Sequence, residues 1–581
     1  MNTSTHGDPA TSGRLDFAIA GAGVSGLYTA WRLLLDARER GVDPPSIAIF
    51  ESGDRTGGRL LTWLPAGPTG GLRAELGGMR FIPAQQLVWN LVGHLGFGEA
   101  ITKFWVGGPN LRLMLRGLSM PLDAPDPTVR YELPADKRAN AGDLIMDAIQ
   151  LALQAPENWP VLEELLPDNE DASGSVTNMP ASRADWDRIK SRLSWRGDPL
   201  WNVGFWNLLS DVLSPETYQY ITDSFGYYSL AGNWNAAEAM QFISLDFTVS
   251  DYYQLDEGYS LLPNTLGDQA CEAGCEIHLN TRLVSFEEQS EGCWTLDLAA
   301  YRSEEAPCDR FTVEAKHLVL AMPRRSLELL APSRDFDLQC NRELKRLVTS
   351  VKPQPAFKFY IFYDERWWER LGIQHGRSIC DLPIRQTYYF APQPWRGGGE
   401  LPRFGLLMAS YDDARAVDYW EGLLPPEDER EAGRKRLHAA LSEMVSAHVP
   451  NAAADLVPEP PPHLHEASAA MLAHAKTQLA LLHDIPESEI PEPVVGAYGD
   501  WGRDPFGGGW NFWNSRVDVH EAMTRVKTPL GPDRRVYVVG DSYSGSQGWV
   551  EGALTATEVT LQRHLGLAPP DWLPKEYYLG W

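Results

Sequence analysis

Cysteine is scarce in this sequence, and long hydrophobic runs are absent. Only 6 of the 581 residues are cysteines, and their spacing fits neither a metal site nor a disulfide-rich scaffold. We therefore expect free thiols in a reducing compartment. No run of about 18 apolar residues is present, and the N-terminal segment MNTSTHGDPATSG lacks an apolar core. The sequence thus predicts no membrane span, no signal peptide and a cytoplasmic location.

Positive charge is also in short supply. The sequence has 51 Lys and Arg residues against 78 Asp and Glu residues, which gives a formal net charge of −27. Such a surface repels phosphate backbones, so nucleic acid is excluded as an expected partner. His463 and His465 lie beside a proline run without the ligand spacing of a metal site, and no metal is expected.

Tryptophan, in contrast, is plentiful. The 21 Trp residues equal the 21 Tyr residues and exceed the 19 Phe residues. Large aromatic side chains mainly fill cores, but they also form the walls of pockets for flat ligands, and composition leaves both roles open. The chain is too long for one ordinary domain, and two or three domains are expected.

The chain begins, after a polar tail, with a strand–helix–strand pattern. LDFAIA (15–20) and SIAIFE (46–51) are short apolar strands, and LYTAWRLLLDARER (27–40) has helical periodicity with Gly41 as a stop signal. This order predicts a βαβ unit.

A glycine-rich turn, GAGVSG (21–26), joins the first strand to the helix. In this G-x-G-x-x-G pattern Gly21 permits a tight turn, Gly23 lets the backbone approach a pyrophosphate, and Gly26 allows close packing of helix on strand. Glu51 ends the second strand, where a carboxylate accepts hydrogen bonds from the ribose hydroxyls of an adenosine. The context predicts a dinucleotide site.

The segment after Glu51 favours a flavin over a nicotinamide dinucleotide. ESGDRTGGRL (51–60) contains a second pair of glycines, flanked by Arg55 and Arg59. An extended flavin dinucleotide runs past the first turn and needs further backbone donors and a cation, whereas a nicotinamide dinucleotide has no obvious need for them.

With these residues the sequence resembles the flavin-containing amine oxidase superfamily, which includes monoamine, polyamine and L-amino acid oxidases. The similarity extends to AELGGMRFIP (74–83), LDEGYSLLPNTL (255–266) and RVYVVGDSYSGSQGWVEGAL (535–554). The family usually has Gly-Glu where this sequence has Gly540-Asp541, and the shorter carboxylate still accepts a hydrogen bond from the ribityl chain.

The resemblance implies FAD as the cofactor and an α/β (α+β) fold. A Rossmann-like FAD-binding domain would be assembled from the discontinuous segments 14–81, 255–323 and 493–567. A mixed-sheet substrate-binding domain would comprise 82–130 and 324–492, with a mostly helical insertion at 131–254. The implied FAD contacts are Gly21, Ala22, Gly23, Ser25, Gly26, Glu51, Ser52, Arg59, Gly77, Gly78, Met79, Arg80, Val284, Gly540, Asp541, Gly548, Trp549 and Val550.

The resemblance is strongest to L-amino acid oxidases at two segments. These enzymes have G-x-M-R where this sequence has Gly77–Arg80, and their arginine holds the substrate carboxylate, for which a planar guanidinium is well shaped. The alternative for Arg80 is a flavin contact or a structural ion pair. DLPIRQTYYFAP (381–392) resembles their D-L-P-x-R-x-x-Y-Y segment, which implies that Tyr389 is the second carboxylate donor. The alternative for Tyr389 is an ordinary strand tyrosine.

Three further residues complete the implied catalytic set. FKFYIFYDERWWE (357–369) resembles the strand with the family's lysine, which places Lys358 near flavin N5 in the reaction with oxygen. A lysine inside an apolar strand is costly unless it is functional or paired. By the same resemblance the Gly548 carbonyl accepts the substrate amine, and Trp549 forms an aromatic wall over the flavin.

The sequence predicts an L-amino acid oxidase that uses molecular oxygen and acts on large apolar or aromatic substrates, or broadly. Basic amino acids, with Asp500 or Asp504 as a pocket carboxylate, remain an alternative. So do a decarboxylating flavin monooxygenase, an oxidase of simple amines and a flavoprotein without catalysis. Many relatives are dimers, so the resemblance allows a homodimer. Trp510 and Trp513 are pocket walls or core residues.

Overall fold

The computed structural model describes residues 13–66, 71–123, 125, 130–133, 140–165, 179–247, 251–290, 292–301, 309–390, 403–448 and 457–580. Two large sheets organise this part of the chain, and a group of helices packs beside the second sheet. Among the residues described, no helix combines the length and the apolar character needed to cross a membrane.

The first sheet is built around the βαβ unit that the sequence predicts. Leu15–Ala20 and Ile47–Phe50 are parallel neighbours, and the helix Val24–Arg40 connects them. Both strands are buried and nearly continuous in apolar residues, as parallel strands covered on both faces are. Gly41 ends the helix in the left-handed conformation (φ 64°), which glycine adopts without steric cost.

Distant parts of the chain complete this seven-stranded sheet. The helix Val550–Leu565 is fixed to Val24–Arg40 by a buried ion pair, with Arg32 Nη2 3.1 Å from Glu558 Oε1. The first and last segments of the domain are thereby packed together. The strands lie in the order Glu276–His278, Ile47–Phe50, Leu15–Ala20, Asp309–Leu320, Cys293–Ala300 and Thr281–Ser290, and Val536–Val538 pairs in parallel with Asp309–Leu320.

The second sheet has eight strands and is mixed. Its centre is Ala356–Tyr363, in which every residue is buried, including Lys358. The order is His465–Glu466, Val495–Asp500, Ala356–Tyr363, Gly405–Asp413, Gln386–Tyr389, Gly376–Cys380, Arg112–Leu115 and Leu118–Pro121.

Short pairs of strands lie outside the two large sheets. The pairs are Ile101–Phe104 with Tyr252–Leu255, Val351–Gln354 with Trp510–Trp513, Thr62–Trp63 with Ala74–Glu75, and Ser194–Trp195 with Asp198–Pro199.

The helices between the two halves of the chain form their own apolar core around Trp186 and Trp234. Its helices are Ala141–Leu153, Trp159–Leu165, Arg183–Ile189, Phe205–Val212, Pro215–Ser224 and Ala236–Phe242. The other α-helices described are Gln86–His94, Leu261–Glu272, Arg324–Glu328, Arg342–Val348, Arg415–Glu421, Arg430–His448, Ala469–His483 and Val519–Val526.

The fold class predicted from the sequence is confirmed: a Rossmann-like domain built from separate segments lies beside a mixed-sheet domain and a helical region. The predicted start of the third FAD-binding segment, residue 493, does not match the strand pairing. Val495–Asp500 was assigned with the FAD-binding segments, but it pairs with Ala356–Tyr363 in the second sheet. Its apolar pattern predicts a strand, whereas sheet membership depends on a long-range pairing that local pattern does not encode.

Candidate active site

An elongated cavity follows the ends of the parallel strands of the first sheet. It encloses about 1520 Å³ between its walls, solvent at the open side included. Gly21, Glu51, Met322 and Gly540 follow four neighbouring strands and line it, which is where open parallel sheets bind their ligands. The predicted cofactor residues on its wall are Gly21, Gly23, Ser25, Glu51, Ser52, Arg59, Gly77, Gly78, Gly540, Asp541, Gly548, Trp549 and Val550.

The glycines of the first turn differ in what their missing side chains permit. A Cβ on Gly21 would lie 2.5 Å from the Ala321 carbonyl oxygen, and one on Gly26 would lie 2.0 Å from the Gly21 oxygen. Gly23, in contrast, has only the Cα of Gly58 at 4.0 Å. Gly21 and Gly26 are therefore needed for packing, while Gly23 leaves open space on the cavity side for a pyrophosphate.

The Glu51 carboxylate is held in place at the end of its strand. Its Oε2 accepts a hydrogen bond from the Ala22 N–H (2.7 Å), and its Oε1 accepts one from the Gly53 N–H (2.8 Å). Glu51 also lines the cavity, where a carboxylate suits a ribose diol.

An ion pair between Arg59 and Asp541 forms part of the cavity wall. Arg59 donates to the Asp541 carboxylate and, through Nη1, to the Gly509 carbonyl oxygen at 3.0 Å. Asp541 also accepts from the Gly548 N–H at 3.3 Å. One carboxylate thus connects the second glycine turn to the C-terminal segment, and the cation is available to a diphosphate. The cavity's volume of about 1520 Å³, its open glycine turn, its diol acceptor and its cation fit an FAD.

Five predicted cofactor residues are absent from the cavity lining in the described part of the chain: Ala22, Gly26, Met79, Arg80 and Val284. Ala22 and Gly26 lie just behind its wall, where they support Glu51 and Gly21. Met79 is buried with its sulfur 3.5 Å from Lys358 Nζ. Val284 is buried in its strand, where its carbonyl accepts from the Ala331 N–H, and its neighbours Arg282 and Leu283 line the cavity instead.

Lys358 lies on the cavity wall at the centre of the second sheet. Its Nζ donates to the carbonyl oxygens of Glu75 (2.8 Å) and Gly77 (2.7 Å) and lies 4.6 Å from the centre of the Tyr411 ring. Burial lowers the pKa of Lys358 to about 7, although Glu75 opposes this shift. The amine therefore titrates near neutral pH.

Arg80 lies just beyond the cavity lining, among aromatic side chains. Its guanidinium carbon is 4.1 Å from the centre of the Tyr252 ring and 5.5 Å from that of Phe104, and its Nη1 donates to the Tyr388 hydroxyl at 3.2 Å. Within the described part of the chain no carboxylate forms an ion pair with Arg80. A half-buried cation without a counter-ion favours an anionic ligand.

The expectation for Tyr389 is wrong. Its hydroxyl bonds to His483 Nε2 at 2.7 Å, and its ring packs against Trp368 on the far side of the sheet. Successive strand residues point to opposite faces, so the preceding Tyr388 faces Arg80. Tyr388 is therefore the phenol at the candidate carboxylate site.

Aromatic side chains from six separate segments lie around Lys358 and Arg80. Tyr411 and Trp510 line the cavity with Trp549, whose ring is nearly parallel to that of Tyr252 (12°, centroids 6.5 Å apart). We call this set the aromatic cluster: Tyr227, Tyr252, Tyr388, Tyr411, Trp510 and Trp549.

Several functional candidates were missed from the sequence. Tyr411 pairs directly with Lys358 on the neighbouring strand, a long-range pairing that the local sequence pattern does not encode. Tyr227 lies in a turn with no motif around it. For Trp510 the structure supports the pocket role, whereas Trp513 is buried and donates to the Ser544 carbonyl oxygen (3.1 Å).

The carboxylates suggested for a basic substrate are engaged elsewhere. Asp500 accepts from the Gly502 N–H and from Arg503, and Asp504 pairs with Arg325 at the surface.

The described residues contain no cluster suited to a metal ion. Five cysteines are free thiols, and Cys308 lies outside the described residues, as do the first 12 residues.

Comparisons with known proteins agree with this geometry. A model of the flavin containing amine oxidoreductase family matches residues 24–460, well over half of the chain. Achacin from Lissachatina fulica is 23% identical over 96% of this chain and 94% of its own length. Aplysianin-A from Aplysia kurodai is 25% identical over 94% and 90%, and an L-amino-acid oxidase from Demansia vestigiata 21% over 95% and 87%.

Solved structures show the same fold at low sequence identity. Wild-type putrescine oxidase bound to putrescine has a TM-score of 0.57 at 16% identity, covering 95% of this chain and 99% of that one. Cyclohexylamine oxidase from Brevibacterium oxydans has a TM-score of 0.57 at 15% identity, covering 94% and 97%.

Proposed function

The chain belongs to the flavin-containing amine oxidoreductase family, and from this premise we propose that it is an FAD-dependent L-amino acid oxidase. The proposed reaction is L-amino acid + O2 + H2O → 2-oxo acid + NH3 + H2O2. The observation that carries the proposal is Arg80, a half-buried guanidinium with a phenol beside it and no carboxylate partner among the described residues. Named L-amino-acid oxidases among the relatives support it.

The family establishes a flavin cofactor, FAD, and the cavity residues would hold it. Gly23 and the helix that begins at Val24 would hold the diphosphate with Arg59, and Glu51 would hold the ribose. The chemistry that FAD supplies when bound is the two-electron oxidation of the bond between Cα and the amine, with transfer of the electrons to O2.

The side chains orient the substrate for this oxidation. Arg80 and Tyr388 hold the carboxylate with charge-assisted hydrogen bonds, for which the Tyr388 hydroxyl turns from Gln386 Oε1 (3.2 Å) to the carboxylate, and the Gly548 carbonyl accepts from the amine. Fixing both groups of the amino acid places its Cα hydrogen in one position relative to the cavity. The oxidation requires the nitrogen lone pair of a neutral amine, so kcat/KM rises with pH as the substrate ammonium loses its proton.

Lys358 contributes to the oxygen half of the reaction. Its amine titrates near pH 7 and lies on the cavity wall beside Tyr411. When protonated, it stabilises the negative charge that oxygen acquires on reduction.

The aromatic cluster favours large apolar or aromatic side chains. The Tyr227 ring contacts Tyr411 and Trp510 edge-to-face, with centroid separations of 5.2 and 5.9 Å. Flat aromatic surfaces bind apolar groups well and provide no counter-ion for a basic side chain.

A peroxide-coupled screen of L-amino acids, their D-enantiomers and their decarboxylated analogues tests the function. We expect peroxide with L-phenylalanine and L-leucine, a 2-oxo acid and ammonia in equal amounts, and little turnover of D-enantiomers. Turnover of the amines alone would establish an amine oxidase, and an amide product without peroxide would establish a monooxygenase. Either outcome would refute the proposal.

A further inference from the structure

Two guanidinium groups converge on the hydroxyl of Tyr388. Arg80 Nη1 lies 3.2 Å from the phenol oxygen, and Arg377 Nη1 lies 3.4 Å from it. Arg377 and Tyr388 are directly paired on neighbouring antiparallel strands, Gly376–Cys380 and Gln386–Tyr389. The Tyr388 phenol therefore lies between Arg377, from its own sheet, and Arg80, from the segment after Ala74–Glu75.

Gln386 fixes this arrangement. Its Oε1 accepts a hydrogen bond from Arg377 Nη1 at 2.7 Å and one from the Tyr388 hydroxyl at 3.2 Å. Its Nε2 donates to the Gly226 carbonyl oxygen at 3.3 Å. Arg377 thus has a defined position in a network, rather than projecting freely into solvent.

The charge around the phenol is unbalanced. In the part of the chain that the structure describes, neither Arg80 nor Arg377 has a carboxylate within ion-pair distance. Two other arginines with little exposed surface do have such partners: Arg32 pairs with Glu558, and Arg183 with Asp246. Two half-buried positive charges close together repel each other, and a bound anion relieves that repulsion.

We propose, building on the amino-acid oxidase function, that Arg377 is a positioning residue of the substrate carboxylate site. It holds Tyr388 beside Arg80 and adds a second positive charge behind the phenol. The ligand class is a monocarboxylate, the α-carboxylate of the amino acid. Arg377 acts through Tyr388, and its loss should weaken carboxylate binding without changing the oxidation of bound substrate.

The protonation of Tyr388 provides a signature of this role. Burial raises the pKa of Tyr388, but Arg80 and Arg377 together bring it below its ordinary value. The other titratable groups near these charges are Tyr227, Tyr252, Tyr411 and Lys358. Burial raises the pKa of Tyr227 and Tyr411, so both stay neutral. Ionised Tyr388 has no proton to donate to a carboxylate, so carboxylate affinity falls as pH rises through its pKa.

The test is a calorimetric titration of the FAD-loaded enzyme with benzoate over a range of pH, together with KM and kcat for L-phenylalanine. For Arg377→Gln we expect benzoate Kd and KM to rise about tenfold, the loss expected for one charge-assisted contact, with kcat unchanged. The alkaline fall in benzoate affinity should move to higher pH, and Arg377→Lys should restore its wild-type position. Arg310→Gln, at an exposed pair with Asp297, is the matched control.

Unchanged Kd, KM and pH profile in Arg377→Gln would overturn the inference and leave the oxidase function intact. If Arg377→Gln fails to fold, Arg377→Lys decides, since a wild-type pH profile supports the role of charge and a profile moved to higher pH contradicts it. A wild-type enzyme that neither binds benzoate nor oxidises amino acids would instead refute the proposed function itself.

Discussion

Replacing each of the adjacent residues Tyr388 and Tyr389 by phenylalanine distinguishes a role in carboxylate binding from a role in core packing. Tyr388 faces Arg80, while Tyr389 contacts His483 on the opposite side of the same strand. The two substitutions remove the same atom from consecutive residues, both of them nearly fully buried. They should have opposite effects on substrate binding and on stability.

For Tyr388→Phe we expect KM for L-phenylalanine to rise roughly ten- to a hundredfold. The lost interaction is a hydrogen bond from the phenol to a carboxylate, worth about 1.5–3 kcal/mol, and each 1.4 kcal/mol corresponds to about a factor of ten. The aromatic ring remains, so the walls of the site keep their shape and kcat changes little.

For Tyr389→Phe we expect a normal KM and a loss of stability. His483 is buried, and burial lowers its pKa to about 3, so the ring is neutral and depends on the phenol as its partner. Leaving one buried polar atom unpaired costs about 1–3 kcal/mol, which urea unfolding of the purified protein measures.

Steady-state kinetics with peroxide detection on both variants tests which tyrosine faces the substrate carboxylate. If Tyr389→Phe raises KM and Tyr388→Phe does not, the assignment of the two faces of this strand is refuted. Equal effects on KM would also refute it, because only one of the two rings faces Arg80.

The remaining predictions concern the cofactor turn and the buried lysine. Gly26→Ala should destabilise the apoprotein, because its Cβ would lie 2.0 Å from the Gly21 oxygen, whereas Gly23→Ala should unfold like the wild type and bind FAD more weakly. Equal unfolding curves for the two variants would contradict this. Lys358 has a folded-state pKa of about 7, below its ordinary 10.5, so the unfolded chain binds more protons between these values and its contribution to stability rises with pH. The gain in free energy of unfolding from Lys358→Met in the apoprotein should therefore shrink between pH 7 and pH 10. If urea unfolding shows a constant difference between the variant and the wild type, a neutral lysine is contradicted.

The cofactor half of the site could be predicted because its signals are local. GAGVSG lies between a strand and a helix, and Glu51 follows the next strand, so the chemistry and the geometry come from one continuous stretch. Gly21 and Gly26 are required by contacts within that stretch or with the adjacent strand. Such motifs specify their own structure.

The substrate half could be predicted only in part, because it depends on contacts between distant segments. Arg80 was found from its motif, but the choice between Tyr388 and Tyr389 depends on the phase of a strand. The pairing of Gln386–Tyr389 with Gly405–Asp413 is irregular between Gln386 and Tyr388, so the local alternation gives no secure phase. Arg377, Tyr227 and Tyr411 reach the site through tertiary packing and carry no motif.

The most direct test of the central claim compares L-phenylalanine with 2-phenylethylamine, which differ only in the carboxylate, in the wild type and in Arg80→Gln. The account predicts that the wild type prefers the amino acid and that Arg80→Gln lowers kcat/KM for it by about a hundred- to a thousandfold, the loss of two charge-assisted hydrogen bonds, while activity on the amine is unchanged or higher. The exposed Arg310→Gln variant should keep the wild-type ratio. A wild type that prefers the amine, or an Arg80→Gln enzyme with an unchanged ratio of the two substrates, would contradict the assignment of this site to a substrate carboxylate.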